Sequence, residues 1–297
     1  TVLAQIVADE LGLKPQEIGV NVELDTAKDG HSIAAGNYAS RFAASTANAA
    51  YLAAGRIRKR LAAIAAQSLG AAPEELGFAD GRIFVLGAPD RSVPFYRIAG
   101  MAHWSPSTLP DGVPPGLRET VQWNPQQLTP PSDADEINTS LTYGFIFDFC
   151  GVEVDPIRAT VRVDRYITMH DSGRLLNPAL AAGQVHGSLG QALGATLFED
   201  FRYGEDGSFQ SGTFADYLLP TATEIPPTVL LHQETPSPFT PLGTKGMGEG
   251  NSMTMPACIG NAVADALSIR DVPLPLTPSR LAPILHGEED PPPTVRR

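Results

Sequence analysis

The sequence predicts an α+β fold of mixed sheets and packed helices. Three features point there: segments with helical apolar spacing, a long alternating hairpin, and the lack of any regular strand–helix–strand rhythm. Taken in order, Val2, Leu3, Ile6, Val7 and Leu11 repeat as one face of a helix that Gly12 ends. Val20–Leu24 alternates as a strand should, and a turn bracketed by Gly30 and Gly36 follows. An alanine-rich helix is expected from Ala43 to Gln67, with Leu52, Ile57, Leu61 and Ile64 on its apolar side. From Gly87 to Asp135 prolines crowd the chain, as in "TLPDGVPPGL", which predicts a long irregular excursion over a surface.

Tyr143–Val154 and Ala159–Met169 then predict two strands joined at Asp155-Pro156, with Tyr143, Phe145, Phe147 and Phe149 as one buried strand face. "HDSGRLLNP" leads into a helix from Pro178 to Asp200, and "FRYGEDGSF" reads as a tight turn between short strands. A last helix follows the glycine-rich stretch near residue 249, capped by Ser252 or Thr254 with Pro256 in its first turn. The domain expectation is one unit over 1–285, divisible into sublobes at about 1–135 and 136–285, with a disordered tail at 286–297.

Composition narrows the function. A chain of 297 residues with 42% hydrophobic and 18% charged content can build a sizeable core. A net charge of −12 leaves no basic stripe for a nucleic-acid partner, and Arg56, Arg58, Lys59 and Arg60 read as one solvated helix face. Cys150 and Cys258 alone cannot hold an iron–sulfur cluster or a zinc ribbon, so a reduced, cytoplasmic chain is expected. No apolar run reaches the roughly 20 residues of a membrane span. The start, without methionine and already helical, looks like a chain cut from something larger.

Chemistry concentrates in "GTKGMGEGN". Gly243, Gly246, Gly248 and Gly250 let backbone approach a ligand closely, and Glu249 stands among them just ahead of a helix. The spacing matches neither a Walker loop nor a dinucleotide fingerprint, and a central carboxylate would repel phosphate. Partly desolvated in a cleft, Glu249 could serve as a general base; the plain alternative is that it caps the helix. "GQVHGSLGQALG" sets Gly183, Gly187, Gly190 and Gly194 beside Gln184 and Gln191. An amide suits recognition of a flat heterocycle, whereas the glycines could simply allow close helix packing, the reading the bare residues favour. His170, Asp171 and His186 lack metal-site spacing, and His170 is expected to orient its turn. "GNYASRFAASTANAA" delivers Asn37, Ser40 and Arg41 to a helix start, an oxyanion or pyrophosphate seat or only a cap. No Gly-x-Ser-x-Gly elbow supports a hydrolase.

Together and in this order, "NYASRFAASTANA", "HDSGRLLNPALAAGQVHGSLGQALG", "FADYLLPTATEIP" with "ETPSPFTPLGTKGMGEG", and "PACIGNAVADAL" resemble the molybdopterin-binding subunit of the xanthine dehydrogenase, aldehyde oxidase and carbon monoxide dehydrogenase family. The likeness spans most of the chain and fits the C-terminal half of that subunit. It implies the C-terminal molybdopterin-binding lobe of a molybdenum hydroxylase. Molybdenum would be held by the dithiolene of the pterin, with no protein ligand to the metal, and the pterin would be a dinucleotide such as molybdopterin cytosine dinucleotide. Glu249 would be the base that activates the water-derived oxygen. Ala39, Ser40, Arg41 and Phe42 would lie along the pterin and its phosphates, Gln184 would bond to it, and Gly246, Met247 and Gly248 would shape the base loop; Lys245 is a weaker contact.

Two departures matter. Many relatives carry glycine and serine where this chain has Ala39 and Phe42. The family's glycine–phenylalanine and glycine–glutamine–glycine loops are absent as well. The resemblance therefore implies a second molybdopterin-binding chain supplying the N-terminal half of the site, with 2Fe-2S clusters on an iron–sulfur subunit and FAD on a flavin subunit. The substrate would be an N-heteroaromatic or an aldehyde. A catalytically silent assembly subunit is the alternative.

Overall fold

The computed structural model describes residues 1–27 and 36–287. The turn expected at Gly30 and the tail from 288 onward lie outside them, while the last helix reaches His286. The chain divides into two compact units, one of Thr1–Tyr143 with Pro236–Gly246, the other of Gly144–Thr235 with Met247–Arg297.

The first unit opens with α1, Val2–Leu11, which buries Ala4, Ile6, Ala8 and Leu11 and stops at left-handed Gly12. A Cβ at Gly12 would strike the backbone of Phe78, so glycine is required twice over there. Helix α2, Thr46–Leu69, packs on α1 and on a three-stranded antiparallel sheet of β1 (Leu76–Ala79), β2 (Arg82–Val85) and β3 (Ala88–Pro94). Helix α3, Phe95–Trp104, completes a core in which Leu61, Ile64, Ile83 and Ile98 are wholly buried. Burying each such side chain contributes about 1.5–3 kcal/mol.

Three expectations are corrected in this unit. The proline-rich stretch is not irregular throughout: its first part forms β3 and α3, with Pro94 at the strand end and helix N-cap, where a missing N–H costs nothing. Val20–Leu24 pairs with no strand among the described residues, and Val22 is 88% exposed, since alternation makes a strand only where a partner edge is offered. Of Arg56, Arg58, Lys59 and Arg60, the first and third are exposed as expected, but Arg58 and Arg60 are tethers rather than part of a solvated face. Arg58 donates to the Glu10 carbonyl and lies over the Phe78 ring, while Arg60 pairs with Glu119 at 3.0 Å and donates to the Pro114 carbonyl.

The second unit is built on a sheet ordered β4 (Phe145–Asp155), β5 (Thr160–Asp171) and β6 (Thr228–Gln233), antiparallel then parallel. Helices α4 (Pro178–Leu197) and α5 (Gly250–Leu267) pack together, and α5 lies on β4; α6 (Pro278–His286) adds Leu281 to the core. The hairpin falls where the sequence predicts it, but its aromatic face is the exposed one. Helices cover the Ile146, Cys150, Val152 and Val154 side, so the two-residue period turns Phe145, Phe147 and Phe149 outward; Tyr143, just before the strand, is exposed as well. "FRYGEDGSF" closes as one antiparallel bridge between Tyr203 and Phe209.

Candidate functional site

In the first unit the turn at residues 38–40 carries Ala39 at φ 53° and Ser40 at φ 52°, a left-handed pair of the kind that non-glycine residues rarely adopt. Arg41 places its guanidinium over the Tyr38 ring, 5.3 Å from the centroid, and donates to the Tyr38 hydroxyl. Phe42 is half-buried beside it. The loop 236–246 is fixed against this turn. Asn48, wholly buried, accepts from the Leu242 amide at 3.1 Å and donates to the Ala43 carbonyl, which also accepts from the Thr244 hydroxyl. Gly246 then approaches so closely that a Cβ there would come within 2.8 Å of Ser40 Cβ and its carbonyl oxygen. Two stretches that the sequence singles out thus meet, and only glycine permits the meeting.

In the second unit Met247, Gly248 and Glu249 lead directly into α5. Met247 receives a hydrogen bond from the Ser172 hydroxyl at its sulfur. Glu249 occupies the N-cap position, yet its side chain makes no capping hydrogen bond and is exposed. The capping alternative therefore lacks its bond, and this chain does not itself supply the burial expected around the carboxylate. Ser252 and Thr254 are not the caps either, and Pro256 lies well inside the helix.

Behind this first turn lies a polar network that the sequence reading missed. Asn251, wholly buried, donates to both Asp148 oxygens at 3.2 Å and to the Thr168 hydroxyl at 2.9 Å, and accepts from the Ser188 hydroxyl. Asp148 also accepts from the Tyr166 hydroxyl at 2.6 Å and from Thr254. His170 Nε2 lies 3.1 Å from the Thr168 hydroxyl, and its buried Nδ1 has no hydrogen-bond partner. Burial holds the His170 imidazole below its ordinary pKa, with neighbouring Asp148 opposing the shift. His170 thus sits under α5 and does not orient the turn. Asp171 does that, accepting from the Gly173 amide at 3.0 Å and the Thr235 amide at 3.2 Å.

Asn177 caps α4 by accepting from the Leu180 amide. Gln184 is exposed on that helix, and a Cβ added at neighbouring Gly183 or Gly187 would meet nothing. Close helix packing therefore does not explain those two glycines; Gly190 and Gly194 do face neighbours. His186 is exposed, and among the described residues no group of three or more His, Cys, Asp or Glu could hold a metal ion.

Each unit thus presents its own candidate binding feature: the Arg41 turn in the first, and the exposed Gln184 beside Gly183 and Gly187 in the second. A guanidinium beside a left-handed turn can meet phosphates, and an exposed amide on a smooth glycine surface can meet a heterocycle. Comparison with known proteins places the chain in a family. The chain is 33% identical over 290 residues to the nicotine 6-hydroxylase large subunit of Paenarthrobacter nicotinovorans, covering 97% of this chain and 34% of that one. It is 32% identical over 267 residues to the carbon monoxide dehydrogenase large chain of Afipia carboxidovorans, covering 90% and 30%. The crystal structure of quinoline 2-oxidoreductase from Pseudomonas putida 86 superposes with a TM-score of 0.82 at 31% identity, over 96% of this chain and 35% of that one. The chain thus spans about a third of the length of the relatives it matches. The profile of the molybdopterin cofactor-binding domain matches residues 1–226, and the chain belongs to that family.

Proposed function

We propose that this chain is part of a molybdenum hydroxylase, with Glu249 as the general base. The observation that carries the reading is Glu249 itself, exposed at the head of α5 in a glycine-rich loop and without the bond that would make it a cap. When bound, the molybdopterin group, in a dinucleotide form, supplies the oxygen-donating and electron-accepting chemistry. The Glu249 carboxylate takes the proton from the attacking water-derived oxygen, and Gly248 and Met247 hold the loop that presents it. Arg41, Ser40, Ala39 and Phe42 hold the phosphate side of the group, Gly246 lies against Ser40, and the Gln184 amide bonds to the pterin.

The remaining partners are inferred from the family resemblance. Another polypeptide segment supplies the other half of the cofactor site, and iron–sulfur and flavin chains carry electrons away, in the cytoplasm. An N-heteroaromatic substrate is favoured over an aldehyde, because the nicotine and quinoline enzymes named above act on such rings by their names. Among the described residues no helix is long and apolar enough to cross a membrane.

The test is metal and pterin analysis of the native complex, with turnover of N-heteroaromatics by Glu249→Gln. Molybdenum equimolar with the chain and a rate loss of about 10²–10⁴ in the variant are expected. A folded complex without molybdenum, or a fully active variant, overturns the reading. Gln184→Ala should lower pterin content while leaving assembly intact; unchanged pterin would remove that contact.

A further inference from the structure

The outward face of the β4–β5–β6 sheet changes character along its length. Near the start of β4, Phe149, Ile167 and Val229 form one cross-strand row and Phe147, Met169 and Leu231 the next. Phe145 precedes them, and Phe145, Phe147 and Phe149 are 60%, 58% and 64% exposed. Past the irregularity at Gly151 and Val152, the same face carries Glu153, Arg162 and Asp164, joined by the Arg162 ion pairs. The exposed side chains are charged and ion-paired at one end of the hairpin and apolar at the other. A contiguous apolar patch with a charged border is the anatomy of an interface rather than of a solvated sheet.

We infer that this apolar half-face docks the rest of the large polypeptide, the two thirds or so by which the matched relatives exceed this chain. This inference rests on the functional reading only for the identity of that polypeptide. Nearly the whole chain matches within a single longer subunit, 97% of it against 34% of the relative. A remainder carried on the same polypeptide, as in those relatives, would be tethered at an effective concentration on the order of millimolar and would outcompete a second copy for the patch. The patch also lies on β4, an edge strand whose aromatic stripe would otherwise invite uncontrolled pairing.

The test places a photoreactive ring at the patch, Phe147→p-benzoylphenylalanine, in the assembled protein from its own cells, with the same probe at Glu153 as control. Cross-links from position 147 to large-subunit peptides outside residues 1–297, with none from 153, are the expected result. Cross-links to a second copy, to lipid, or to nothing overturn it. Hydroxyl-radical labelling of the unsubstituted complex gives an independent reading: Phe147 and Phe149 should be protected several-fold relative to the chain alone, and equal labelling also overturns it. Molybdenum content of the same preparation separates the two proposals. Metal present without the cross-link rejects the docking face alone; the cross-link without metal rejects the enzyme reading alone.

Discussion

On one side of the first turn of α5 stands Glu249, exposed and without a capping bond. On the other stands Asp148, whose carboxylate accepts from Asn251, Tyr166 and Thr254. Two carboxylates border one helix start, and they differ in how fully their oxygens are occupied. The saturated one ties the helix to its sheet; the open one is the group proposed above as the base. The proposed role would require the inner side to be rigid, because a general base must be held within a fraction of an ångström of its proton.

The largest break in that contrast should come from Asn251→Ala. Asp148, Thr168 and Ser188 would each lose a buried hydrogen-bond partner, at a cost of about 2–4 kcal/mol, read as a fall in unfolding free energy by denaturant titration. A change below about 0.5 kcal/mol would show that the network does not hold the helix. A smaller effect is expected for Gly250→Ala, whose Cβ would collide with the terminal methyl of Ile146. Overpacking of this kind costs about 1–3 kcal/mol. Ile146→Ala in the same chain should recover part of it, so the double-mutant cycle should show favourable coupling; simple additivity would place the cost elsewhere.

These residues also mark how far the sequence was legible. Helices α1, α2, α4 and α5 and the β4–β5 hairpin were readable, because periods of 3.6 and 2 survive in a single chain. The side of β4 that is covered was not, since alternation tells that two faces differ but not which one meets the helices. Short β1, β2 and β6 carry too few residues to show a period, and prolines disguised α3. In the site, Glu249 and Gln184 stood out through motif and resemblance. Asn48 and Asn251 did not. A single asparagine inside a helix looks like a solvated position, and its meaning comes from partners 194 and 103 residues away along the chain.

His170 sharpens the contrast through pH. Its pKa is lowered by burial in the folded state, so the unfolded chain takes up the proton first on acidification. The contribution is complete above the ordinary value of 6.5 and is lost as pH falls from there toward the lowered folded value. Stability should decline below that point by at most about 1.4 kcal/mol per pH unit from this group. His170→Gln should flatten the slope between pH 6.5 and about 5, above the ordinary carboxylate range. An unchanged slope would mean that the imidazole takes up its proton without unfolding its surroundings.

The smallest stability effect is the most informative one. Glu249→Gln removes a charge from an exposed position that makes no capping bond, so unfolding free energy should move by no more than about 0.5 kcal/mol. Part of that shift would be the lost attraction between a carboxylate and the helix N-terminus. The same substitution should cost about 3–5 kcal/mol of transition-state stabilisation if the carboxylate moves the proton. A structural cap would show the two quantities falling together, whereas a base held ready on a rigid helix shows activity lost with the fold untouched. Measuring both on one preparation therefore decides whether the open side of this turn exists for chemistry or for the helix.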